Sequence, residues 1–280
     1  PTIKIANEIG VKKLLTFLDR IGFSSELRHD LSISLGSIGT TLIDLVSAYS
    51  IFLNDGDKVF PKYLLSIRDI YGADLGDLFA EIISSKIENP KVIENIDSDQ
   101  TADNEDASGV KRPGVYGKRD AYIMKNLLQG VVKHGTGRRA KGISKSFGGK
   151  TGTTSDYIDA WFVGFSSRII TGVWTGFDNN KSLGWPESGS KAALPIWKEI
   201  MKKSLVIYDP IEREVPEGMV NVLIDKKTGK IAGINSTAPF LETFVEGTEP
   251  GAVFEAEANK IGSQGKEAEN DEDEEFYDLR

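Results

Sequence analysis

Three short runs of β-branched and aromatic residues occupy the centre of the chain: Phe147 to Thr153, Ala160 to Phe165 and Ile169 to Phe177. Each has the length of a strand rather than a helix, and Ser166-Ser167-Arg168 is only a short link between the second and third. Three adjacent antiparallel strands are the economical reading, because a parallel pair needs a long crossover. Helical patterns flank them. Val11, Leu14, Leu15 and Leu18 recur at helical spacing and stop near Gly22; Thr41 and Asp44 have capping-box spacing ahead of Leu42, Leu45, Val46 and Tyr49. Asn54-Asp55-Gly56 ends that second helix, and Lys58 to Tyr71 reads as extended. A third helix is expected from about Asp120 to Lys133, closed by Gly135 and Gly137, and a fourth opens around Pro195 with Ile196, Trp197, Ile200 and Met201. Val215 to Ile224 and the turn residues Asp225 to Gly229 read as a late strand and turn. The class is therefore α/β of the α+β kind: an antiparallel sheet flanked by helices.

Charge separates the folded body from its appendages. The net charge is −8, yet residues 255–280 hold ten acids against three bases, and residues 88–106 hold seven acids against Lys91 alone. Removing both leaves the remainder at +5, a mildly basic body suited to an anionic substrate. The overall acidity argues against nucleic acid. Residues 88–112 read as an acidic surface insertion, and 251–280 as an acidic, disordered tail behind a domain of residues 1–250. With no cysteine and two isolated histidines, His29 and His134, no metal site and no cofactor are expected. No run approaches the ~18 apolar residues of a membrane span. Because Pro1 stands where a methionine would and no signal segment precedes it, an N-terminal part, with any membrane anchor, is expected to be missing.

The chemistry concentrates at Gly148-Gly149-Lys150-Thr151-Gly152-Thr153-Thr154. On an edge-accessible strand, Lys150 and the hydroxyls of Thr151 and Thr153 are expected to face one groove and form a polar site of carboxylate size. Gly152 would permit close approach of a neighbouring element. A bare Lys-Thr-Gly is more often an ordinary strand beside a turn, so context decides.

That context is extensive. Gly149 to Tyr157, Asp159 to Phe165, Thr171-Gly172-Val173-Trp174 and Gly176-Phe177-Asp178 closely resemble the transpeptidase domain of class A penicillin-binding proteins, the 1A type in particular. Lys191 to Trp197 resembles the family's later helix and Gly247-Thr248-Glu249-Pro250 its closing motif. Leu35-Gly36 with Ala48-Tyr49, and Gly130-Val131-Val132 with Gly135-Thr136-Gly137, resemble upstream parts. The resemblance spans roughly residues 1–250, and implies the penicillin-binding protein and β-lactamase-like transpeptidase fold, N-terminally truncated.

The resemblance also implies a mechanism that needs three motifs. Ser-x-x-Lys supplies the acylated serine, Ser-x-Asn a proton-relay serine, and Lys-Thr-Gly the opposite wall. No Ser-x-Asn occurs in this chain. Ser-x-x-Lys occurs as Ser108 to Lys111, Ser188 to Lys191 and Ser263 to Lys266, none at the start of an apolar helix and none in the family's order, so all three are decoys. Pro1-Thr2-Ile3 resembles the segment directly after the family's Ser-x-Asn. The expectation is a fragment without its nucleophile, inactive alone, with apolar surface uncovered and poor solubility or disorder near residues 1–40.

By the same resemblance, Thr151 and Thr153 would bind the terminal carboxylate of a peptidoglycan stem peptide, Lys150 would add charge and support the relay, and the Thr153 backbone N–H would be one oxyanion donor. β-Lactams and cell-wall synthesis proteins are the expected partners, on the periplasmic side of the membrane. Two other readings stay open: a non-catalytic cell-wall or partner-binding protein that kept the fold, and a soluble hydrolase of the β-lactamase type. Trp161, Trp174 and Trp197 read as core or sheet-packing residues rather than a sugar-stacking row, and Trp185, in a Gly/Pro loop, as the residue for partner contact. His134 reads as a helix C-terminal charge, and Asp156 and Asp159 as turn or capping residues.

Overall fold

The computed structural model describes residues 2–23, 28–63, 66–76, 103–105, 111–113, 115–143, 146–208, 210–234 and 236–251. The chain divides into two compact units, Pro1–Glu217 and Gly218–Arg280.

In the first unit the elements run α1 (Thr2–Ile9), α2 (Val11–Ile21), α3 (Leu42–Ser50), β1 (Asp103–Glu105), β2 (Lys111–Pro113), α4 (Lys118–His134), β3 (Gly148–Thr153), β4 (Asp159–Phe165), β5 (Ile170–Gly176) and α5 (Ala193–Ile207). The three central runs fold as read: β3, β4 and β5 form one antiparallel sheet in that order, with Thr151 opposite Phe162 and Phe162 opposite Val173. Gly22 closes α2 in a left-handed conformation (φ 98°), its N–H donating to the Leu18 carbonyl. The Thr41 hydroxyl accepts from the Asp44 amide at 3.2 Å and donates to the Asp44 carboxylate at 2.6 Å, which starts α3. Pro195 lies in the first turn of α5, where its lacking N–H leaves no helical bond unmade.

Each face of the sheet has its own core. On one, Trp197 of α5 is fully buried, with Phe162 at 4.9 Å and Phe147 at 5.5 Å between ring centroids, and its indole N–H donates to the Gly164 carbonyl at 3.2 Å. A Cβ on Gly164 would stand 2.6 Å from that indole, so only glycine lets α5 approach so closely. On the other face, Phe165 packs with Leu53 and Leu128, while Ile21, Ala48 and Ile51 form a neighbouring cluster.

One expectation needs correction and one element is added. Lys58 to Tyr71 carries no strand among its described residues, only a single bridge from Arg68 to Asp74. Asp69 accepts from the amides of Tyr71 and Ala73, each at 2.8 Å, and such local bonds compete with a ladder. Helix α1 lies ahead of the helix expected from the Val11 to Leu18 periodicity. Thr2–Ile9 and Val11–Ile21 are helical on either side of a break at Gly10 (φ 88°), and leave Ile3, Ile5 and Ile9 about half exposed. β1 and β2 pair antiparallel inside the acidic insertion, the rest of which lies outside the described residues, as does the tail beyond Gly251.

The second unit is an antiparallel hairpin of β6 (Met219–Asp225) and β7 (Pro239–Val245), with Ile231 bridging Ile224 on the side of β6 away from β7. The late strand begins at Met219, not Val215, because Pro216 cannot donate to a ladder and Gly218 turns with φ 73°. Its partner β7 had no distinctive periodicity to announce it. Among the described residues no helix is long and apolar enough to cross a membrane.

Candidate active site

The site follows from the position of β3 at the edge of its sheet. Thr154 donates its N–H to the Asp159 carbonyl at 3.1 Å, continuing the ladder to β4. Residues that bond one neighbour recur at every second position, so the backbone groups of Thr151 and Thr153 point to the open edge. In keeping with this, the Lys150 ammonium donates to the Thr151 carbonyl at 2.8 Å.

The same alternation corrects the expected common orientation of the side chains. Thr151 stands opposite Phe162, which packs on Trp197, so Thr151 and Thr153 occupy the α5 face; Lys150 and Gly152 occupy the other. Lys150 and Thr153 are exposed, while Thr151 and Gly152 are half-buried.

Both hydroxyls are already engaged, in a way that leaves protons to give. The Thr153 hydroxyl accepts from the Gly189 N–H at 3.0 Å, so its own proton stays available. The Thr151 and Thr136 hydroxyls lie 2.9 Å apart and share one hydrogen bond, which uses one of their two protons. Thr136 is brought there by the closing turn of α4, where the amides of Gly135 and Gly137 both donate to the Val131 carbonyl. A Cβ on Gly189 would stand 2.3 Å from the Trp161 carbonyl and 2.5 Å from that of Gly152. Glycine is therefore required for the 188–192 turn to lie against the end of β3.

Thr136 and Gly189 were not singled out from the sequence. Gly135-Thr136-Gly137 read only as a helix stop and a point of resemblance, and Gly189 lay inside a dismissed Ser-x-x-Lys. That serine is structural: the Ser188 hydroxyl bonds that of Ser190 at 2.9 Å, and its carbonyl accepts from Lys191 and Ala192 ahead of α5. Ser108 and Ser263 lie outside the described residues. Asp159 receives the Trp174 indole N–H at 2.8 Å, and its own amide donates to the Thr154 hydroxyl at 2.7 Å. Trp185 is 82% exposed. Among the described residues no group of three or more His, Asp or Glu is arranged to hold a metal.

A helix-flanked antiparallel sheet with Lys-Thr-Gly on its edge strand defines a penicillin-binding type of fold. Residues 1–202 match the family described as penicillin binding protein transpeptidase domain, and the chain belongs to that family. Its relatives are of the 1A type. It is 31% identical over 276 residues to penicillin-binding protein 1A of Pseudomonas aeruginosa, covering 91% of this chain and 34% of that protein. With the same protein of Neisseria cinerea it shares 37% over 222 residues, covering 79% of this chain and 25% of the relative. The structure is similar to penicillin-binding protein 1A from Haemophilus influenzae, with TM-score 0.72, 25% identity, and coverage of 90% of this chain and 39% of that one. The chain thus spans about a third of the length of the first of these relatives, and less of the second.

Proposed function

We propose that this chain contributes the substrate-carboxylate wall of a peptidoglycan D,D-transpeptidase, a serine-type acyltransferase acting outside the cytoplasmic membrane. The observation that carries the reading is the edge of β3, which combines an exposed ammonium, two hydroxyls with protons to donate and an outward backbone N–H at Thr153. A stem peptide ending in D-Ala-D-Ala offers a terminal carboxylate, and each charge-assisted bond to it would contribute roughly 1.5–3 kcal/mol. Lys150 adds positive charge from the other face of the strand. As the serine of the complete enzyme attacks the penultimate carbonyl, the Thr153 N–H donates to the developing oxyanion. One such donor is typically worth about 10²–10³ in rate. A β-lactam presents the same carboxylate and a reactive carbonyl, so it would occupy the same wall.

The acylated serine is supplied from outside this chain, because no Ser-x-Asn is present and no Ser-x-x-Lys opens an apolar helix. Fluorescent penicillin tests both parts. The isolated chain stays unlabelled, whereas the full protein is labelled and Thr153→Val slows its acylation about 10- to 100-fold, as loss of one charge-assisted bond requires. Stable covalent labelling of the isolated chain would refute the absent nucleophile. A full-length protein that never labels would favour a non-catalytic wall-binding role instead.

A further inference from the structure

We propose that a cavity at the end of β3 opposite to Thr153 binds a small oxyanion, a carboxylate or a phosphate. The cavity measures ≈ 180 Å³ and has Leu53, Phe165 and Ile211 as apolar lining. Phe165 pairs with Gly148, the first residue of β3, which fixes the cavity at the far end of the strand from Thr153.

Its polar lining sets Lys125, Arg213, Asn126, Ser166 and Ser167 beside Gln129, Ser146 and Glu212. Asn126 of α4 carries a buried side-chain N–H₂ that finds no acceptor among the described residues. Lys125 is half-buried, and no carboxylate lies within 4.0 Å of its ammonium among the described residues; instead it sits over the Tyr122 ring at 4.7 Å. Burial and, after it, the Arg213 charge hold Lys125 below the ordinary amine range, and the Asp55 charge opposes them only in part. Arg213 uses its Nε–H on the Ser167 carbonyl at 3.1 Å and meets Asp55 only at 3.8 Å.

The two serines can donate as well. Ser166 Oγ accepts the amides of Arg168 and Ile169, both at 3.3 Å, and Ser167 Oγ accepts that of Ile211 at 2.8 Å. Each keeps its hydroxyl proton to donate. Glu212 also borders the cavity, but it is exposed and makes no ion pair among the described residues. Two cations and a buried amide without an acceptor face this small space, and the exposed Glu212 is the one carboxylate among its lining residues. A bound oxyanion would give the Asn126 N–H₂ an acceptor and the two cations a shared negative partner.

The test is titration of the chain with sodium acetate and, separately, sodium phosphate against sodium chloride of equal ionic strength, read by thermal unfolding and by amide chemical shifts. Saturable stabilisation, with shifts centred on Lys125, Ser167 and Arg213, is expected from at least one anion, and the tighter of the two names the group recognised. Lys125→Gln and Arg213→Gln should each weaken it at least about tenfold, the value of one charge-assisted bond. Asn126→Asp provides a second measurement: it supplies the missing acceptor, so it should raise the unfolding temperature without added anion and abolish the response to it. The proposal is overturned if neither anion saturates, if the glutamine variants bind as well as the parent, or if Lys150→Gln rather than Lys125→Gln removes the response.

Discussion

Strand β4 is half-buried at two positions and buried at the other five, held between Trp197 on one face and Leu53 and Leu128 on the other. Strand β6 alternates instead, with Leu223 48% exposed and its cross-strand partner Leu241 63% exposed. Both belong to antiparallel pairs, yet the first is positioned by what packs on it and the second by its turn. At that turn the Asp225 carboxylate accepts from the amides of Lys227 and Thr228, and its own N–H donates to the Lys230 carbonyl at 2.7 Å. Packing on two faces makes the β3–β4–β5 sheet a rigid mount, suited to carrying a binding edge. The hairpin is held by its seven-residue ladder and the bonds of its turn, and leaves Leu223 and Leu241 exposed.

Removing the core support should separate the two regions most sharply. Trp197→Ala empties a fully buried site and should cost about 3–5 kcal/mol, seen as lost amide protection through β4 and β5. Protection of β6 should be unchanged; a parallel loss there would mean that the two units do not unfold separately. Next comes acid. Accepted backbone hydrogen bonds at Lys227 and Thr228 hold Asp225 below the usual carboxylate range. Between its folded and unfolded values the unfolded chain binds more protons, so this stabilisation is complete above the unfolded value of about 3.9 and fades as pH falls through the folded one. Asp225→Asn should therefore flatten the acid-side loss of hairpin protection while leaving that of the sheet intact. The smallest effect belongs to Leu241→Thr, within about 0.5 kcal/mol by urea unfolding, since an exposed side chain has little burial to lose. A larger cost would show that the outer face of the hairpin is covered.

How much was legible follows the same division. The sheet was readable because its residues face apolar neighbours on both sides, so the runs themselves are distinctive. Caps such as Thr41 and Gly22 were readable because their chemistry is local. β7 escaped because Pro239 to Val245 mixes polar and apolar residues, as a half-exposed strand does. At the site, Lys150, Thr151, Gly152 and Thr153 announced themselves by type, but their directions required the register: alternation sends Lys150 to one face and the two threonines to the other. Thr136 and Gly189 reach β3 from distant parts of the sequence, and no local pattern encodes a hydrogen bond between residues so far apart.

The contact at Gly189 couples tolerances that sequence distance would keep apart. Because that turn leads directly into α5, whose tryptophan is wedged in the interior, a small shift of the helix along its axis would drag the amide that steers the Thr153 hydroxyl. On the function proposed above, what the rim of the sheet accepts is thereby tied to side-chain volume deep inside, and substitutions far from Thr153 become a route to retuning it.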